Sequence, residues 1–167
     1  MKTRIAICLG IVVLIAALLL TGTRADQPPN SSFIVFDSSG RPVGPVIGTM
    51  QGTRITIAAI SFHNKWLPVE VLRNSFQVGG SFYYQSTDCS GQAFLDPSSS
   101  PFPATAVFGP TSELFYENGP SQTISVQSLQ DQASGTCSST SFSFNAVPVS
   151  PAFSLKVFNP PFKVVSN

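Results

Sequence analysis

The sequence predicts an all-β fold, an antiparallel sandwich or a partly open barrel, behind an N-terminal signal peptide. Three observations carry that expectation. Beyond residue 25 no window of helical length shows an apolar stripe of period 3.6, whereas several short runs alternate with period 2. Turn chemistry recurs at roughly the 8–12-residue spacing of sandwiches and barrels. All 14 prolines follow the leader, and proline breaks helices because it lacks an N–H and clashes with the preceding turn.

The leader is the strongest local signal. Lys2 and Arg4 precede an apolar run over residues 5–20, and Thr23 and Ala25 are small residues in the pattern a signal peptidase reads. This pattern predicts cleavage after Ala25. An uncleaved anchor is the competing reading, but the run falls short of the roughly 20 apolar residues a spanning helix needs. The chain then divides into a signal peptide (1–25), a flexible lead-in (26–32, DQPPNSS) and a single β-rich domain (33–167). No second stretch is long and apolar enough to span a bilayer.

Cleavage would leave six basic residues against eight acidic ones, a net charge of −2. Such a balance argues against nucleic acid, which requires a basic face to neutralise phosphates. Charged residues make up only 10% of the chain, against about a quarter in typical globular domains. Ser, Thr, Asn and Gln supply the polar surface instead, which suits an exported protein of the periplasm, cell surface or extracellular space. Cys8 leaves with the leader, so Cys89 and Cys137 remain as an even pair. In an exported chain that pair is a disulfide candidate. Two free thiols or a metal pair are the alternatives. A lone histidine and the absence of C-x-x-C give zinc little support.

Taken in order, residues 33–36 read as a strand and Asp37-Ser38-Ser39-Gly40 as a turn, with Asp bonding the backbone ahead and Gly supplying positive φ. Residues 41–50 are broken by Pro42, Gly44, Pro45 and Gly48, which fits an edge strand or a bulged one. In residues 54–62, Ile55 and Ile57 point one way and Arg54 and Thr56 the other. The phase then slips at Ala58-Ala59, where a bulge is expected. Residues 67–73 resume with Val69 and Val71 opposing Glu70, completing a hairpin.

Gly79-Gly80, between residues 74–78 and 81–85, gives the cleanest two-residue hairpin signal. Residues 97–103 form a loop. Strands at 105–108 and 113–116 flank Gly109-Pro110, and another follows at 123–129. Residues 131–140 read as a Ser-rich loop holding Cys137, before strands at 141–149, 153–158 and 163–165. The better alternating faces place Ile55, Ile57, Val69, Val71, Phe142, Phe144, Leu155 and Val157 inward.

Three segments carry a resemblance. Asp37, Gly40, Val43 and Gly44 stand in a D-x-x-G-x-x-V-G segment. Tyr84, Ser86, Asp88, Cys89, Ser90 and Gly91 stand in Y-x-S-x-D-C-S-G, and Pro160, Pro161 and Phe162 form a terminal P-P-F. Together they resemble a group of small exported uncharacterised bacterial proteins across most of the mature chain. The resemblance implies export and no particular activity.

Chemistry is sparse. His63 is the only histidine, no G-x-S-x-G elbow is present, and Gly79-Gly80 lacks the residues of a phosphate loop. Glu70, Glu113 and Glu117 are acids that nothing in the sequence pairs. Asp37 and Asp88 read as turn caps; calcium is the sharper alternative, but the ligand ladder of an EF-hand is missing. Asn30-Ser31-Ser32 matches a glycosylation sequon.

The sequence therefore favours a secreted or cell-envelope, non-catalytic β module with a binding or structural role, using no cofactor or metal. The alternative is an extracellular hydrolase with a site assembled from scattered residues. A partner would be an extracellular protein or a glycan. The expected contact is the connection His63-Asn64-Lys65-Trp66, because loops on rigid scaffolds carry recognition and Trp is enriched at binding hot spots. The competing reading has Trp66 covering the end of the sheet.

Overall fold

A computed structural model describes residues 31–50, 52 and 55–166. The expected signal peptide, residues 26–30 of the lead-in with Asn30 of the sequon, and Arg54 lie outside the described residues. The architecture is all-β: two antiparallel sheets packed as a sandwich, with one 3-10 turn.

The first sheet comprises β1 (Phe33–Phe36), β2 (Pro42–Thr49), β3 (Thr56–Phe62), β4 (Lys65–Val71) and β11 (Lys163–Ser166), in the order β11-β1-β2-β3-β4. The second comprises β5 (Ser81–Tyr84), β6 (Phe94–Leu95), β7 (Thr105–Phe108), β8 (Glu113–Glu117), β9 (Gln122–Asp131) and β10 (Cys137–Ser154), in the order β6-β5-β9-β10-β8-β7. The 3-10 turn, Leu155–Val157, follows β10. Because β6 also pairs with β10, the strands β5, β9, β10 and β6 hydrogen-bond in a closed circuit.

The main core lies between the first sheet and the β7–β8 side of the second. Val35, Ala58, Ile60, Leu67, Val69 and Val71 meet Val107, Leu114 and Leu155 there. A second cluster, built on Phe82, Tyr84, Leu95, Ala106, Val147 and Val149, lies within the second sheet's own strands. Each fully buried Leu, Val or Phe side chain contributes on the order of 1.5–3 kcal/mol relative to exposure. This hydrophobic burial is what sets the alternation of the strands.

Several expectations are corrected by the register. Antiparallel partners share a face, and Ala58 stands opposite Val69 while Ile57 stands opposite Glu70. The core face of β3 is therefore Thr56, Ala58 and Ile60, and Ile57 points the other way. Ile55 precedes the strand and is half-buried. The extra residue is not in β3, whose register with β4 is unbroken. It lies in β2 between Val46 and Gly48. Of the two expectations for β2, an edge strand or a bulged one, the bulged strand is observed, flanked by β1 and β3. Its prolines sit in a ladder already interrupted by shifts at Val35/Phe36 and Val46/Gly48, where missing donors cost least.

The Gly79-Gly80 hairpin does not form. Residues 74–78 contribute one isolated bridge, Val71 to Phe76, and Gln77 N donates to Glu70 O. The chain then crosses to the other sheet, where Ser81–Tyr84 pairs with β9 and Gly80 O accepts from Gln132 N. Gly80 has φ +98°, so its positive φ serves a crossover between sheets.

Near the C-terminus, residues 141–149 and 153–154 belong to one strand, β10, which begins at Cys137 itself rather than leaving it in a loop. Val157 is 47% exposed because residues 155–157 form a 3-10 turn, where period-2 alternation no longer applies. Leu155 alone of that pair is buried. Phe142 is 41% exposed, whereas the half-buried Phe144 faces inward as expected and packs against a third buried cluster of Phe94, Ile124, Val126 and Ala146.

The β1–β2 turn is built on a carboxylate. Asp37 is 0% exposed. Its Oδ1 accepts from Ser39 N (2.9 Å), Ser39 Oγ (2.7 Å) and Arg41 N (2.8 Å), and its Oδ2 accepts from Asn159 N (3.1 Å). The Ser39 hydroxyl, followed by the backbone donors of Asn159, Arg41 and Ser39, holds its carboxyl down at about 2, despite burial that acts in the opposite direction.

The disulfide joins Cys89 and Cys137 with Cα atoms 5.9 Å apart. Its loop is organised by a serine of β9. Ser128, 0% exposed, accepts from Cys89 N (3.0 Å) and donates to Ser86 O (2.7 Å). Asp88 caps the same loop, accepting from Ser90 Oγ at 2.6 Å and Ser90 N at 3.3 Å.

Three outcomes follow. A Cβ on Gly44 would fall on the backbone carbonyl of Ala59, so Gly44→Ala should lower the unfolding free energy by about 2 kcal/mol or more in urea titrations. Asp37 has a folded-state pKa below its unfolded value, so the unfolded chain binds more protons between about pH 4 and pH 2. Its contribution to stability is complete above that window and lost as pH falls through it. Denaturation at neutral and acid pH should show Asp37→Asn less stable at neutral pH and with a shallower acid slope than the parent. Replacing both Cys89 and Cys137 by Ser opens a loop of 48 residues, which should cost about 4 kcal/mol by chain entropy. Reduction of the parent should lower its urea midpoint in the same direction.

Candidate ligand-binding cleft and aromatic ledge

A cleft of about 550 Å³ lies where the β4 edge of the first sheet meets the β7 edge of the second. Thr105 Oγ1 on β7 donates to Pro68 O on β4 at 2.6 Å and stitches the two edges together. The crossover at Gly79-Gly80 forms another wall. Polar side chains facing it include Glu70 from β4, Gln77, Ser98, Asp96 just after β6, and Gln132 just after β9. Its volume falls within the range of small-ligand sites.

Tyr83 on β5 joins the cleft to a group of aromatic rings of which Phe142 is exposed, while Tyr83 and Phe144 are half-buried against Phe94, Ile124, Val126 and Ala146. Its ring lines the cleft and its hydroxyl donates to Asp96 Oδ2 at 3.3 Å. Burial, then the Asp96 charge and its hydrogen bond, push the Tyr83 hydroxyl up from the usual phenol value. The same ring stands 4.6 Å from Phe144 and 6.1 Å from Phe142, and the two phenylalanines are 5.6 Å apart. The rings form a ledge carried by β5 and β10. Alternation in β10 sends Ser143 and Asn145 to the opposite face, where they meet Ser125 Oγ (3.4 Å) and Thr123 Oγ1 (2.7 Å) of β9. Tyr84 turns inward and donates to Gln130 Oε1 at 2.8 Å.

The residues singled out from sequence lie elsewhere. His63 (φ 46°) and Asn64 (φ 62°) are the two central residues of the β3–β4 turn, both left-handed as a two-residue type I′ turn requires. The His63 ring packs edge-on against Phe62 at 4.2 Å. Lys65 and Trp66 belong to β4, and consecutive strand residues face opposite ways. Lys65 Nζ sits 5.1 Å from the Tyr116 ring centroid, a cation–π contact, while the half-buried Trp66 stands opposite Ser61. His63 and Lys65 flank the Phe62–Tyr116 ring pair, while Trp66 faces the other side of β4.

The acids sort by use. Asp37, Asp88 and Asp131 each accept hydrogen bonds from the turn that follows them, and those bonds lower all three carboxyls. In Asp88 the Ser90 hydroxyl leads, and in Asp131 the Ser134 backbone N–H. Glu117 Oε2 accepts from Ala104 N at 3.0 Å. Glu70 and Asp96 instead line the cleft. Among the described residues no group of three or more His, Cys, Asp or Glu is placed to hold a metal ion, and no helix is long and apolar enough to cross a membrane.

Sequence reasoning missed both the cleft and the ledge. Phe142 and Phe144 carry the alternation of a core strand, and the Tyr83–Phe144 contact joins residues 61 positions apart. The one available signal was the density of aromatics in residues 82–84 and 142–144. No family model matches the chain, and no curated protein and no solved structure matches it.

Proposed function

We propose that the protein is an exported, non-catalytic β module of the cell surface, periplasm or extracellular space that binds a glycan. The single observation behind this reading is the ledge of Tyr83, Phe142 and Phe144, continuous through Tyr83 with a polar cleft. Sugar rings present apolar C–H faces flanked by hydroxyls. Exposed aromatic rings supply the complementary surface, and carboxylate, amide and hydroxyl groups beside them fix orientation. The disulfide supports an oxidising compartment. The use of Asp37, Asp88 and Asp131 as turn caps supports a structural role for those carboxylates.

A second reading, an extracellular hydrolase, is favoured by one observation: Glu70 and Asp96 line the same cleft. Paired carboxylates are the chemistry of glycoside hydrolysis. Incubation with polysaccharides separates the two. Release of reducing ends that disappears in Glu70→Gln would establish the hydrolase and remove the non-catalytic reading.

Affinity electrophoresis through gels containing soluble glucans, xylans or glucosamine polymers tests the binding reading. Retardation by at least one polymer is expected. Phe142→Ala should weaken it about 5–10-fold while leaving the stability within about 0.5 kcal/mol, since the ring is substantially exposed. Retardation by none of them, or identical retardation of the variant, would refute it.

A further inference from the structure

We propose that the protein pairs with a second copy of itself through β11, the open edge of the first sheet. The two β11 strands run antiparallel, and the two five-stranded sheets continue as one. The proposal is independent of the glycan reading above.

The other terminal strands of the sandwich are covered. β4 carries the Val71–Phe76 bridge and the bond from Gln77 N to Glu70 O, and Thr105 Oγ1 of β7 ties the two strands together through Pro68 O. β6 pairs with β5 on one side and β10 on the other. β11 pairs with β1 over all four of its residues and with no other strand among the described residues. Such an edge presents a row of backbone N–H and C=O groups to a further strand. Edges are commonly blunted by proline, by a bulge or by charge. β11 contains no proline, its register with β1 does not shift, and its one charge is Lys163.

The side chains straddle this edge. Val164 stands beside Val35, on the core-facing side, and Val165 beside Ile34, on the other. They are 48% and 40% exposed. A strand laid alongside covers both, which a contact on either face alone does not. The edge also complements itself. A two-fold axis perpendicular to the sheet keeps each side chain on its own face, so the pairing centres on a single residue. Centred on Val164 or on Val165, it sets valine against valine and keeps Lys163 of one copy from facing Lys163 of the other, avoiding like-charge repulsion. Residues 26–32, DQPPNSS, are a poorer occupant, because Pro28 and Pro29 have no N–H to give to a ladder. Pairing like with like uses up the edge, so the assembly closes at two copies.

Two paired strands of four residues make a contact smaller than the standard interface of about 1,600 Å². The dimer is therefore weak, with a Kd between about 10 μM and about 1 mM. Sedimentation velocity of the purified protein across that range tests it. The average mass should rise with concentration and level off at twice that of the monomer. The double variant Val164→Lys/Val165→Lys sets like charges across the edge in either register and should raise the Kd at least about 10-fold. Both side chains are exposed, so its melting temperature should match the parent's. Hydrogen exchange of the parent reads the same edge without a substitution: amides of residues 163–166 should gain protection as concentration rises. A monomer at every concentration, a dimer that the double variant leaves intact, growth past two copies, or unchanged exchange in β11 overturns the proposal. So does a dimer that vanishes on deletion of residues 26–32, which would give the edge to that lead-in.

Discussion

The buried carboxylate of Asp37 ties the first strand of the domain to its last. It gathers backbone donors from its own turn and from Asn159, 122 residues away. Ser38 N returns a bond to Asn159 O, and Arg41 Nη1 donates to Val157 O. This knot fixes where the C-terminal segment arrives. Phe162 then buries its ring against Phe76, its N–H donates to Arg73 O, and β11 adds to β1. A buried charge is tolerated only when its lone pairs are taken, and here backbone N–H groups take them. The first sheet, and so one wall of the main core, depends on that satisfaction.

The second sheet is shaped by β10. Over 18 residues it pairs with β9, then with β6, then with β8, and the register shifts twice along the way. Such irregularities bend a strand and increase its twist. The bend lets one half of β10 join the small closed circuit with β5, β6 and β9, while the other half packs beneath the first sheet. The disulfide and Ser128 hold the β5–β6 loop onto the same circuit. Tyr83 is thereby brought to the Phe142 and Phe144 rings, and the mouth of the cleft opens beside them. The candidate site is a product of the joint between two sheets rather than of any one loop.

Local chemistry was legible wherever it is decided within a few residues. The alternation of Val69 and Val71, the Asp37 and Asp88 turns, the strands around Gly109-Pro110 and the pairing of Cys89 with Cys137 all follow from residue type and spacing. The period-2 pattern and the turn spacing were enough to fix the all-β class, because alternation reflects a physical demand that one face be buried.

Tertiary structure alone decided which face, which partner and which edge. Ile57 and Ala58 are both apolar, and only the pairing of Ala58 with Val69 shows that Ala58 belongs to the core. Gly79-Gly80 can serve a hairpin or a crossover; what distinguishes them is the strand Ser81–Tyr84 finds, β9, some 45 residues away. Phe142 and Phe144 both alternate as core residues, but only Phe144 packs against the buried cluster of Phe94, Ile124, Val126 and Ala146, while Phe142, further along the same face, is left 41% exposed. The cleft exists only because Glu70, Tyr83, Asp96 and Gln132 arrive from four separate segments. Long-range contacts of this kind depend on how whole sheets pack, and short-range periodicity carries no record of that.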